Sequence, residues 1–147
     1  MISLHMSRFL TGYLLDIYRL FDGDLAIVIV LAEIAHHNTT HHFTEEGGLK
    51  EELKGGIAHA KVRRQLLGCN AFSMAEATGM PRETIRRKIA RLEALGWVVR
   101  GERREVRITP KIGETFLPDC NVKLMNGLLE TARRIQRLLD KAPAAAK

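Results

Sequence analysis

Between Ser73 and Ile108 the chain reads SMAEATGMPRETIRRKIARLEALGWVVRGERREVRI, and no other stretch narrows the possible folds as far. Ser73 suits a helix N-cap, with Glu76 three residues on completing a capping box, which predicts a short helix from about Met74 to Thr78. Gly79 can take the positive φ of a tight turn, and Met80 provides an apolar contact between the helices on either side. Pro81 fits the start of the next helix, where its missing amide hydrogen costs nothing. In that helix Ile85, Ile89, Leu92 and Leu95 recur at spacings of four, three and three, giving one buried stripe. Gly96 supplies a C-terminal stop. Trp97, Val98 and Val99 then read as a strand and Arg100 to Arg103 as a turn, followed by a half-buried strand from Arg104 to Ile108 with Val106 and Ile108 facing in.

The charge distribution singles out the same stretch. The chain carries a net charge of +6 over 147 residues. From Ser73 to Gly113 ten bases face five acids, so +5 of that total is concentrated there. A positive field confined to one motif points to a polyanionic partner, whereas a uniformly basic surface would say less.

The segment SMAEATGMPRETIRRKIARLEALGWVVR resembles the winged helix-turn-helix of bacterial transcriptional regulators of the GntR-like and MarR-like groups. The likeness rests on the short helix, Gly79, the PRETIRR entry, the LEALGW exit and the basic hairpin. It implies a mainly α fold with a small β-hairpin wing and double-stranded DNA as the partner. Carried over by position, it places base reading on Arg82, Glu83, Thr84 and Arg86, phosphate contacts on Ser73, Thr84 and Arg87, and wing contacts on Arg103 and Arg104. The chemistry agrees: an arginine fork pairs with guanine, Glu83 accepts from cytosine, and hydroxyls bond phosphate oxygens. Lys88 and Arg91 are expected to be ordinary solvated or ion-paired side chains.

The rest of the chain reads as flanking structure within a single domain of residues 1–147. Residues 8–43 predict two N-terminal helices for the core or a dimer. The first runs from Arg8 to Phe21, Asp22-Gly23 breaks it, and Asp24 caps the second. The β-branched run Ile27 to Val30 would suit a buried strand as well as a helix, and the length of the segment favours a helix. Residues 44–56 read as a flexible loop, and residues 57–113 as the winged unit led by a helix through Ile57, Ala60, Leu66 and Leu67. A C-terminal helix over residues 119–141 places Leu124, Leu128, Thr131, Ile135 and Leu138 on a coiled-coil-like seam. Its resemblance to the MarR-like arrangement implies dimerisation through Leu124, Leu128, Ile135 and Leu138. The competing account is a helix that packs within its own chain.

Four of the six histidines fall between His36 and His42. His37 and His41 would share a face if the helix continued, a spacing able to chelate Zn²⁺ or Ni²⁺, but a polar helix end running into a loop is the simpler account, and no cofactor is expected. Cys69 and Cys120 are too few for a disulfide scaffold. With no segment resembling a signal peptide and no apolar run near the ~20 residues of a membrane span, a reduced cytoplasmic protein is expected. No Gly-rich phosphate loop, nucleophile motif or paired carboxylates argue for an enzyme. The expectation is a sequence-specific, homodimeric DNA-binding regulator with room for a small-molecule effector that the sequence does not identify. The alternative is a winged protein-interaction or architectural module without sequence preference.

Overall fold

The computed structural model describes residues 1–46, 48, 50, 60–116 and 120–140. They are mainly helical with one small antiparallel sheet, in the order α1 (Ile2–Leu20), α2 (Leu25–Thr39), a 3₁₀ turn (Thr40–His42), α3 (Ala60–Gln65), α4 (Ala71–Thr78), α5 (Arg82–Ala94), β1 (Val98–Arg100), β2 (Val106–Ile108), α6 (Lys111–Phe116) and α7 (Cys120–Asp140). Contacts divide the chain into two compact units, one of residues 24–115 and one of residues 1–23 with the chain from 116 onward. Most of the expected loop at 44–56, and Ile57 of the expected lead-in helix, lie outside the described residues.

The core of the central unit is built around α2. Ile27, Val30, Leu31 and Ile34 are all buried. Their spacing of three, one and three is one face of a helix, which resolves the strand alternative for the β-branched run. Asp24 starts this helix as expected, its Oδ1 accepting from the Ile27 amide at 3.1 Å. Against α2 pack Met74 of α4 and Ile85, Ile89 and Leu92 of α5, each at most 2% exposed. The expected stripe on α5 ends one residue early, because Leu95 is the C-cap and is 37% exposed. Val62 of the lead-in helix and Leu66 just after it are buried in the core, while Leu67 is 47% exposed. Helix α3 has already ended at Gln65, so Leu67 does not follow helical periodicity.

Both turn glycines behave as the sequence predicts, with φ of +69° at Gly79 and +74° at Gly96. The hairpin pairs Val98 with Ile108, Val99 with Arg107 and Arg100 with Val106. Val106 and Ile108 are buried. The second strand begins two residues later than expected. Arg104 takes a φ of +62°, and the loop closes by Gly101 N–H donating to the Glu105 carbonyl at 2.8 Å. The ladder extends on the other side of β2, where the Cys69 and Val106 amides and carbonyls exchange bonds at 3.2 and 2.7 Å.

One buried side chain joins these pieces. Asn38, with no exposed surface, donates from Nδ2 to the Leu67 carbonyl at 2.6 Å and the Val106 carbonyl at 3.2 Å. Its Oδ1 accepts from the Ile108 amide at 2.7 Å. A buried carboxamide with both ends paired fixes the last turn of α2, the segment after α3 and the inner strand of the hairpin in one arrangement. Cys69 is buried beside it, and burial pushes its thiol up to about 11, so it behaves as an inert core group. The side chain of Cys120 lies outside the described residues.

The second unit is a pair of helices. Helix α1 begins at Ile2, six residues before the expected Arg8, and ends where Asp22 and Gly23 take positive φ values of +51° and +84°. It runs antiparallel to α7: Asp16 accepts from Lys123 Nζ at 2.6 Å, Phe9 lies beside Gly127, and His5 lines a shallow recess with Arg134 and Leu138. The seam expected to meet a second subunit is largely the seam that meets α1. Leu124, Ile135 and Leu138 are half-buried on α7, while Leu128 remains 43% exposed. No residue of α1 is fully buried. Among the described residues no helix is long and apolar enough to cross a membrane.

Candidate nucleic-acid interface

The basic surface of the central unit is built on α4, α5 and the hairpin. Helix α4 starts at Ala71, capped by Asn70 and not by Ser73. The Asn70 carboxamide oxygen accepts from the Phe72 and Ser73 amides at 2.9 and 3.0 Å, and the Ser73 hydroxyl accepts from the Asn70 amide at 3.3 Å. Ser73 is therefore the third residue of the helix and the reciprocal partner in the capping box. Its hydroxyl also donates to the Asn70 carbonyl at 3.0 Å, so the proton expected to meet a phosphate is committed within the cap.

Pro81 is the N-cap of α5, one position before the expected one, and Arg82 opens the helix. Because Ile85, Ile89 and Leu92 face inward, Arg82, Glu83, Arg86 and Arg87 stand exposed on the first two turns, with Thr84 half-buried at their edge. Arg82 is held from outside the helix: its guanidinium carbon lies 5.2 Å from the ring centre of Phe72, which is itself 51% exposed. Cation–π geometry of this kind orients the fork without using its N–H donors. Arg86 and Glu83 approach to 3.7 Å as an exposed pair within the helix, a contact worth little in water. Arg103 and Arg104 are exposed at the hairpin tip.

The remaining basic residues have internal work. Lys88 Nζ and Arg91 Nη1 both donate to Asp24 Oδ2, at 2.8 and 3.1 Å, while the other oxygen of that carboxylate caps α2. Burial pushes the Asp24 carboxyl up, but the hydrogen bonds from Lys88 and the Ile27 amide and the charges of Lys88 and Arg91 outweigh it and hold it below its ordinary value. Arg107 donates from Nε to the Leu66 carbonyl at 3.0 Å and from Nη1 to Glu105 at 2.8 Å. Arg100 pairs with Glu93 at 2.9 Å, and Lys111 Nζ donates to the Leu95 carbonyl at 2.8 Å, covering the C-terminus of α5. The surface thus sorts into side chains that brace the unit and side chains on α5 and the hairpin tip directed to solvent.

Phe72, Asn70 and Asp24 are the residues that sequence reasoning passed over in these roles. The signal for Asn70 was present, since asparagine is as good a cap as serine. The Phe72–Arg82 and Asp24–Lys88 contacts cross turns and helices and leave no mark in local spacing.

The histidine cluster is not part of this surface. The α-helix carrying His37 ends at Thr39, and His41 lies in the 3₁₀ turn that follows, with its ring 3.9 Å from that of the buried His42. The continuous helix that the His37–His41 pairing requires is therefore not formed. Among the described residues no group of three or more His, Cys, Asp and Glu side chains is arranged to hold a metal ion. No family model, curated protein or solved structure matches this chain.

Proposed function

We propose that the central unit is a winged helix-turn-helix that binds double-stranded DNA, with α5 as the recognition helix in the major groove and the β1–β2 hairpin as the wing on the backbone or in the minor groove. The observation that carries this reading is the two-sidedness of α5. One face is anchored by Ile85, Ile89 and Leu92, and the other presents Arg82, Glu83, Arg86 and Arg87 at the end that enters a groove. The Gly79 turn, the cap on α4 and the concentration of +5 of the net charge in this stretch support it. The protein acts in this reading as a cytoplasmic homodimeric transcription regulator, whose two reading heads meet half-sites about one helical turn, ~34–36 Å, apart.

Selection from a pool of genomic fragments followed by sequencing tests both binding and half-site spacing. A protein that retards no duplex even at low salt would show the reading to be wrong. An affinity ratio near one between selected and scrambled sites supports instead an architectural module without preference. Arg82→Ala is expected to relax discrimination at one base position by about 1–3 kcal/mol. Arg103→Ala should weaken all sequences alike and lower the salt slope by about one.

A further inference from the structure

Phe72 stands apart from the core face of its own helix. Met74 is buried, and Phe72, two positions earlier, lies about 200° around α4 from it and is exposed. Its backbone is fixed, because the Phe72 amide donates to the Asn70 side chain of the cap at 2.9 Å. Helical side chains slant toward the N-terminus, so the ring overhangs the start of α4. There it meets Arg82, the first residue of α5, whose guanidinium carbon sits over the ring. Among the described residues Arg82 donates to no carboxylate or carbonyl, whereas Arg91 is committed to Asp24 and Arg86 lies beside Glu83. A guanidinium that rests on an aromatic ring keeps its N–H edge open. The result is an exposed apolar ring and a free arginine fork held side by side at the end of α5 that enters a groove.

We propose that Phe72 and Arg82 act as one reading unit for a two-base step, in which Arg82 forks onto guanine and the Phe72 ring covers the C5 methyl group of the adjacent pyrimidine. The inference rests on the DNA-binding reading above and names the step that its recognition helix selects. An arginine that forks onto the O6 and N7 atoms of guanine lies in the plane of that base. A ring resting against the guanidinium face is then displaced toward the neighbouring base pair, ~3.4 Å along the duplex. Most base edges in the major groove are donors and acceptors, and one of those against Phe72 loses its water without gaining a partner. The methyl group of thymine is the apolar exception, and 5-methylcytosine carries the same group at the same place. Phe72 also serves as a positioning residue, since a fork already oriented by the ring loses less freedom on binding. Being uncharged, it releases no counterions, so its effect falls on base preference and not on the salt dependence.

Fluorescence anisotropy of the full chain on duplexes recovered by genomic selection tests this, with probes that differ by one methyl group. The recovered sites are expected to hold a thymine beside a guanine. Replacing that thymine by deoxyuridine should weaken binding about fourfold, the worth of one buried methyl group. Exchanging cytosine for 5-methylcytosine at the same position should strengthen it by a like factor, and an effect with thymine alone narrows the occupant to thymine. Phe72→Ala should abolish the methyl effect and lower the preference for guanine over adenine about fivefold, with the salt slope and helical circular dichroism unchanged. Phe72→Tyr should restore the guanine preference. Because the methyl exchange is made on the DNA, it remains decisive with the wild type even where Phe72→Ala does not fold. Selective binding with no such step in the recovered sites, with equal affinity for thymine and deoxyuridine, or with a methyl effect that survives Phe72→Ala overturns the proposal and leaves the DNA-binding reading standing. A chain that retards no duplex removes both.

Discussion

The central unit and the α1–α7 pair are written with the same pattern of apolar residues every three or four positions, yet they end in opposite states. In the central unit α2, α4, α5 and the hairpin close on one another, and Ile34, Ile85 and Leu92 lose all their exposed surface. In the pair, the stripes of α1 and α7 meet each other, and Leu10, Leu14, Met125 and Leu129 stay about half exposed. What differs is the number of layers. An amphipathic helix marks one face for burial, but burial is complete only when elements surround that face on several sides. A helix pair that leaves so much apolar surface open has its stability tied to whatever covers it, whereas the central unit carries its own.

Truncation should expose this difference most strongly. Ile85→Ala removes a fully buried side chain and should cost about 2–5 kcal/mol, whereas Ile135→Ala, at a half-buried site, should cost less than half as much at concentrations where the chain is monomeric. Denaturant unfolding of both variants measures this, and equal losses would erase the contrast. A smaller effect belongs to Asn38. Its replacement by Ala leaves the Ile108 amide and two carbonyls short of partners in a buried site, which should cost about 2–4 kcal/mol and loosen the hairpin first. Hydrogen exchange at the Ile108 amide is the sensitive readout, and unchanged protection there would remove Asn38 from its bracing role.

The smallest expected effect is at Asp24, whose replacement by Ala should cost about 1–2 kcal/mol, since it removes the cap of α2 and the partner of Lys88 together. Its folded carboxyl is held below the unfolded value near 3.9, so this stabilisation is fully present above that pH and is lost as pH falls through the lower folded value. The stability gap between wild type and Asp24→Ala should therefore be level near neutrality and close progressively below about pH 4. A gap that stays constant to low pH would show that the carboxylate charge contributes nothing.

The parts of this fold legible in the sequence were those specified by neighbouring residues. The α5 stripe, the positive φ at Gly79 and Gly96, the alternation of Val106 and Ile108 and the Asp24 cap each depend on a handful of consecutive positions. Where two local signals compete, spacing does not choose between them: Ser73 with Glu76 and Asn70 with Ser73 both suit a capping box, and the earlier one starts the helix. Thr109-Pro110 suits the end of β2 and the start of a helix alike, so α6 is not singled out by its local sequence, and Arg104 takes the left-handed region without a glycine to mark it.

Sequence alone determined the helical periodicities, the turn points and the concentration of positive charge between Ser73 and Gly113, since propensity, spacing and formal charge are properties of the chain itself. Tertiary structure decided which of those charges remain available. Asp24 takes up Lys88 and Arg91 from more than sixty positions away, and Phe72 reaches across a turn to hold Arg82. It also decided that the apolar seam on α7 is already occupied, largely by α1. Such outcomes follow from which faces meet in space, and a pattern that marks a face as apolar or basic does not specify what will lie against it.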